Sequence, residues 1–150
     1  FQKLQNSKGT KSVSKIRIEM QHTMQNFCPV YRSEKKMKKG KAILLDLLDQ
    51  TKNLKITDKS LIWNTEIVEA FELQNLLLQS IASIEAALER KESRGAHARD
   101  DFKKRNDKKW LRHLLTYIDL DGSAKIKSRD VSLKTKSKEI KTIEPKARVY

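Results

Sequence analysis

From Ser12 onward the apolar positions Val13, Ile16, Met20, Met24 and Phe27 recur every three or four residues, the spacing of one helical face. Pro29 lacks a main-chain N–H and ends that helix. Ser33 followed by Glu34 reads as the N-cap and first turn of a second helix reaching about Asp49. Its face is lined by Met37, Leu44, Leu47 and Leu48, while Gly40 weakens its middle. A third pattern starts at a cap on Asp58 or Asn64 and carries Ile67, Phe71, Leu77, Leu78, Ile81, Ile84 and Leu88 to about Glu89. At 1.5 Å per residue its roughly 26 residues span about 39 Å, enough to form the axis of a three-helix bundle.

Beyond the third helix the period changes. The short β-prone runs Leu115 to Leu120 and Ala124 to Lys127 flank Asp121-Gly122, a hairpin signal. Residues 128–150 carry no core pattern and read as an extended C-terminal tail, whose end would be ordered only by docking elsewhere. Residues 1–11 are polar and read as a flexible lead-in. The expected fold is therefore mainly α: a three-helix bundle over 12–113 with a distinctive loop at 91–102, then a small β-hairpin and tail over 114–150.

A length of 150 residues suits one domain with a modest core. An apolar content of 37% and a mean hydropathy of −0.71 are low for such a domain, so part of its apolar surface should find a partner outside the chain. No run of 18 apolar residues occurs, and any membrane association would come through other subunits. The single cysteine, Cys28, has no internal disulfide partner and reads as a small packed side chain. A net charge of +14 raises the question of nucleic acid. The lysines, however, are scattered over 35–36, 38–39, 103–104, 108–109 and 134–141 without interleaved aromatics, so no nucleic-acid partner is expected. A freestanding basic module binding nucleic acid or acidic surfaces remains the alternative reading.

Neither an amphipathic helix nor a strand needs the order of residues from Lys91 to Phe102. Within it Gly95 permits a positive φ, and Arg94, His97 and Arg99 offer donors suited to carboxylates, phosphates or carbonyls. The run resembles the RKESRGAHAR-[DE]-D-[FY] motif in the C-terminal domain of succinate dehydrogenase flavoprotein subunits. Four further stretches are similar to that family in the same order. They are Ile16 to Asn26 with Val30-Tyr31-Arg32, Trp63 to Leu77, Trp110 to Tyr117, and Pro145 to Tyr150. Leu114 and Glu144 depart from the family pattern, where Thr or Ser and a first proline are usual.

The resemblance implies a complete subunit that oxidises succinate to fumarate with FAD and passes electrons to an iron–sulfur subunit and on to quinone. It implies further that the flavin-binding and capping domains, with all catalytic residues, lie outside this chain. The sequence agrees in having four glycines, at 9, 40, 95 and 122, and no G-x-G-x-x-G turn for a flavin pyrophosphate. By resemblance, Arg94 and Arg148 support flavin attachment, and His97, Arg99 and His113 make interdomain contacts. The implied partners are the flavin-binding part and the iron–sulfur subunit, with membrane anchors met indirectly. The implied location is the matrix side of the mitochondrial inner membrane, or the cytoplasmic side of a bacterial one. The start at Phe1 leaves a fragment, a processed piece or a separately encoded half as expectations.

No metal is expected. His22, His97 and His113 include no i, i+4 pair, and His22 lies off the apolar stripe of its helix. Asp119, Asp121 and Gly122 look like the start of a calcium loop, but Ala124, Lys125 and Lys127 fill the later ligand positions.

Overall fold

The computed structural model describes residues 1–137, 139–143 and 146, and it is mainly helical with one small hairpin. Three long helices surround the core: α2 (Val13–Phe27), α3 (Glu34–Gln50) and α4 (Thr65–Glu89), with a short α1 (Gln2–Gln5) before them. The Ser12 hydroxyl accepts from the Lys15 N–H at the start of α2, and the Asn64 side chain accepts from the Ile67 N–H at the start of α4. Asp58 is not the cap. Its carboxylate instead accepts from the Ser60 N–H in the preceding turn, while the Asn64 amide donates to the carbonyls of Asp58 and Ser60. Ser33 sits at the N-cap of α3 without a side-chain bond there; the Glu34 N–H donates to Asp101 Oδ2, 2.9 Å away, across the fold.

The buried stripe of α4 is Ile67, Ala70, Leu73, Leu77, Ile81, Ile84 and Ala87. Phe71, expected in that stripe, is 43% exposed, and Leu78 and Leu88 are only partly buried. The correction has a geometric cause: successive residues turn by about 100°, so a stripe running through Ala70 and Ala87 carries residues 71 and 88 off its centre. Gly40 is also reassigned. A Cβ there would lie 2.5 Å from Phe27 Cβ and 3.1 Å from Ile84 Cδ1, so this buried glycine lets α3 approach both neighbours.

Residues 1–11 are not a free lead-in. Beyond α1, the N–H groups of Gly9 and Lys11 donate to the carbonyls of Leu54 and Asn53, and the Lys55 N–H donates to Lys11 O. These bonds hold the segment that places Leu54 and Ile56 in the core.

At the other end, β3 (Arg112–Ile118) pairs antiparallel with β4 (Ala124–Asp130), in register from Arg112↔Asp130 to Ile118↔Ala124. Gly122 turns with φ +85° against Leu45 and Leu48, where a Cβ would come within 2.7 Å of Leu45 Cδ2. The strand begins at 112, so His113 belongs to the hairpin and not to the bundle.

Candidate functional site

The loop after α4 is built by a two-residue parallel pairing that periodicity cannot announce. β1 (Tyr31–Arg32) lies beside β2 (Ala98–Arg99), with Ala98 N–H donating to Val30 O and Asp100 N–H to Arg32 O. This fixes the exit of α2 to the signature run. Between Arg94 and His97 the chain reverses, with N–H···O bonds in both directions and Gly95 at φ +57°.

Two buried ions organise the rest. Arg99 is 1% exposed, and its Nη1 donates to the carbonyls of Ala87, Leu88 and Arg90 at 3.0, 3.3 and 3.2 Å. Those are acceptors that the end of α4 leaves without helical partners, and a cation there also suits the helix dipole. The remaining fork, Nε and Nη2, grips Asp101 at 2.7 and 2.8 Å, and Phe102 lies under the guanidinium. That grip holds the Asp101 carboxyl down at about 2 despite some desolvation. Since Asp101 also accepts from Glu34 N–H, one arginine links the end of α4 to the beginning of α3.

Glu92 is fully buried. Burial alone would raise its pKa, but donors from Arg94, the Asn106 N–H and Arg90 outweigh it and hold the group ionised below its ordinary value. Oε1 accepts from Arg90 Nη1 and Arg94 Nε, both at 2.7 Å; Oε2 accepts from Arg94 Nη2 at 3.0 Å and Asn106 N–H at 2.8 Å. Arg94 reaches on to Asp107 at 2.5 Å, and Arg105 forks onto the same carboxylate. Asp107 begins α5 (Asp107–Trp110) and is held at about 2 by Arg105 and Arg94. Arg90 completes the frame by donating to the carbonyls of Trp110 and Arg112, so the loop, α5 and β3 share one ionic centre.

The expected site residues thus fall into different roles. Arg94 and Arg99 direct their guanidinium bonds into this chain, and Arg99 is too deeply buried for the interdomain contact expected of it. His97 places Nε2 3.0 Å from Arg90 O; a carbonyl only accepts, so Nε2 carries the proton, and desolvation lowers the imidazole pKa. His113 is exposed on β3 and makes no bond to a buried carbonyl among the described residues. His22 is exposed on α2. Arg148 lies outside the described residues. Sequence reasoning missed Glu92, Arg90, Asp101 and Asp107. The available signal was the alternation Arg90, Glu92, Arg94, an acid bracketed by arginines in a run with no apolar face.

Beside this centre lies an open groove of about 520 Å³ between the end of α4, the signature loop and β3. Its lining combines Arg32, Arg90, Arg94, His97, Arg112 and His113 with the apolar Ala86, Leu111, Leu114 and Val131. No group of three or more metal-ligating side chains occurs among the described residues. The glycines do not build a dinucleotide cradle either. Gly9 and Gly40 sit against protein atoms, and Gly95 and Gly122 lie in reverse turns.

A family model described as fumarate reductase flavoprotein C-term matches residues 17–150. The chain is 43% identical over 150 residues to the succinate dehydrogenase flavoprotein subunit of Rickettsia bellii, covering 100% of this chain and 25% of that protein. It is 40% identical over 148 residues to the mitochondrial succinate dehydrogenase [ubiquinone] flavoprotein subunit of Oryza sativa, covering 99% of this chain and 23% of that one. Among solved structures, a chain of the E. coli quinol fumarate reductase superposes with a TM-score of 0.83 at 32% identity, over 96% of this chain and 25% of that chain. The chain therefore spans about a quarter of the length of the relatives it matches.

Proposed function

The chain belongs to the fumarate reductase flavoprotein C-terminal family, and we propose that it serves as the C-terminal domain of a succinate dehydrogenase flavoprotein subunit. The observation that carries this reading is the match to succinate dehydrogenase flavoprotein subunits along the whole chain, combined with coverage of only a quarter of their length. In the complete subunit FAD accepts the electrons of succinate oxidation, and an iron–sulfur subunit passes them toward quinone. The four glycines here sit in reverse turns or against protein atoms, and on this reading the chemistry of that reaction belongs to the rest of the subunit.

What this chain contributes is a rigid platform. Glu92 and Arg99 fix the shape of the signature loop, and Arg94 holds the 105–107 segment against it. Support of flavin attachment by Arg94 would then act through the shape of that segment, and Arg148 would contribute from the tail. No helix among the described residues is long and apolar enough to cross a membrane, which suits a peripheral position reached through other subunits, on the matrix or cytoplasmic side. The basic-module alternative has no observation in its favour beyond net charge.

Isolation of the native succinate–quinone activity, followed by peptide mass spectrometry, tests the reading. Peptides of this chain should be recovered in a constant ratio to the flavin-binding and iron–sulfur polypeptides. Their absence from an active complex would remove the proposal.

A further inference from the structure

The groove beside the signature loop carries a charge imbalance that the chain does not itself resolve. Its lining contains four arginines and two histidines and no acidic side chain. Two of the arginines are already committed, Arg90 and Arg94 to Glu92, and Arg94 also to Asp107. The other two are not. Among the described residues the Arg32 guanidinium makes a single 3.6 Å contact, from Nη1 to Cys28 Sγ, and its buried Nε meets no acceptor. Arg112 faces Asp130 across the hairpin register, yet no ion pair joins them among the described residues. A buried N–H left without an acceptor costs free energy, so a native arrangement normally supplies one.

We propose that this groove receives an aspartate or glutamate side chain from an apposed polypeptide, with Arg32 as its principal donor and Arg112 as its second cation. Charge complementarity selects the carboxylate, since every ionisable group in the lining is basic. The apolar wall formed by Ala86, Leu111 and Leu114 selects a carboxylate on a short hydrocarbon stem in preference to a fully hydrated inorganic anion. Cations already crowd this place: Arg32, Arg99 and Arg90 all disfavour protonation of His97, which is the field an incoming anion would relieve. The inference rests on the reading of the chain as one domain of a larger assembly, because that reading supplies the apposed polypeptide.

The test titrates the 150-residue chain with N-acetyl-glutamic acid amide and follows arginine Nε–H and methyl signals by NMR, with N-acetyl-glutamine amide and sodium chloride as controls. The expected result is a saturable shift of the Arg32 Nε–H and the Leu114 methyls with the glutamate probe alone. Arg32→Gln should weaken that binding about tenfold, the loss of one charge-assisted hydrogen bond, whereas Lys39→Gln, the same loss of charge on α3, should leave it unchanged. Shifts spread over surface lysines, equal responses to chloride, or equal effects of the two variants would each overturn the assignment. Because the titration uses this chain alone, its failure would remove the groove's occupant and leave the recovery of peptides from the native complex to decide the domain reading separately.

Discussion

The helical core is built on buried hydrocarbon and the signature loop on two buried ions. Leu44, Leu47, Leu73, Leu77, Ile81 and Ile84 have no exposed surface, and neither does Glu92, while Arg99 has almost none. Hydrocarbon packing is non-directional, so a core side chain can be replaced by another of similar volume at modest cost. A buried ion is different, since its desolvation is offset only while each hydrogen bond is made. The core should therefore respond to substitution by degrees, and the loop by the loss of its shape.

The largest effect expected from breaking this contrast is at Arg99. Arg99→Ala leaves the carbonyls at the end of α4 without their buried donor and the exposed Asp101 carboxylate without its fork, and each buried carbonyl so deprived costs about 1–3 kcal/mol. Arg99→Lys keeps the charge but not the planar fork, so it should recover only part of that loss. Denaturant unfolding monitored by circular dichroism measures both. A loss below about 1 kcal/mol for the alanine variant, the size of an ordinary point substitution, would show that the ionic centre does not hold the loop.

Leu77→Ala supplies the comparison within the core. Its fully buried side chain lies mid-way along α4, and truncation should cost about 2–5 kcal/mol, whereas Leu77→Met should cost less than about 1.5 kcal/mol. The contrast is sharpened if the conservative change is mild at Leu77 and severe at Arg99. Similar responses at both would abolish the distinction.

How much of this could be read from the chain follows the same division. The helices were legible because apolar spacing, a cap at Asp58 or Asn64, and Pro29 as a stop all act locally, whereas the Ser12 cap emerged only in the structure. The hairpin was legible because Asp121-Gly122 has turn chemistry of its own. Arg99, Glu92 and the pairing of Arg32 with Arg99 depend on residues more than 60 positions apart or on burial of charge, and composition gives neither. The resemblance located the loop without showing that its arginines turn inward. Phe71 was misplaced because a bulky side chain suggests burial, although the small Ala70 marks the true centre of the stripe.

A smaller effect is expected at Gly40, where helix propensity and packing give opposite signs. In an exposed helix Gly→Ala would stabilise, by roughly 1 kcal/mol. Here the new Cβ would lie 2.5 Å from Phe27 Cβ, a contact no rotamer can relieve, so Gly40→Ala should instead destabilise by about 1–3 kcal/mol. Thermal unfolding of the variant decides between propensity and packing. A gain in stability would mean that α2 and α3 can separate without cost.

The mildest perturbation is acid, and it should separate the two regions without any substitution. Asp101 and Asp107 are held at about 2, and Glu92 lies below its ordinary value, each through hydrogen bonds that the unfolded chain lacks. Between the ordinary carboxylate range and these depressed values the folded loop binds fewer protons than the unfolded one. The stability they contribute is therefore complete above about pH 4.5 and declines as the pH falls toward about 2. The helical core at Leu73, Leu77 and Ile81 has no titrating group of its own to lose. Hydrogen exchange measured from about pH 6 to about pH 3, corrected for intrinsic rates, should show residues 92–107 losing protection while α4 around residues 73–84 retains it. Loss of protection in both regions at the same pH would mean that the loop opens only when the whole domain unfolds, and that its ions serve the core as much as the core's own hydrocarbon does.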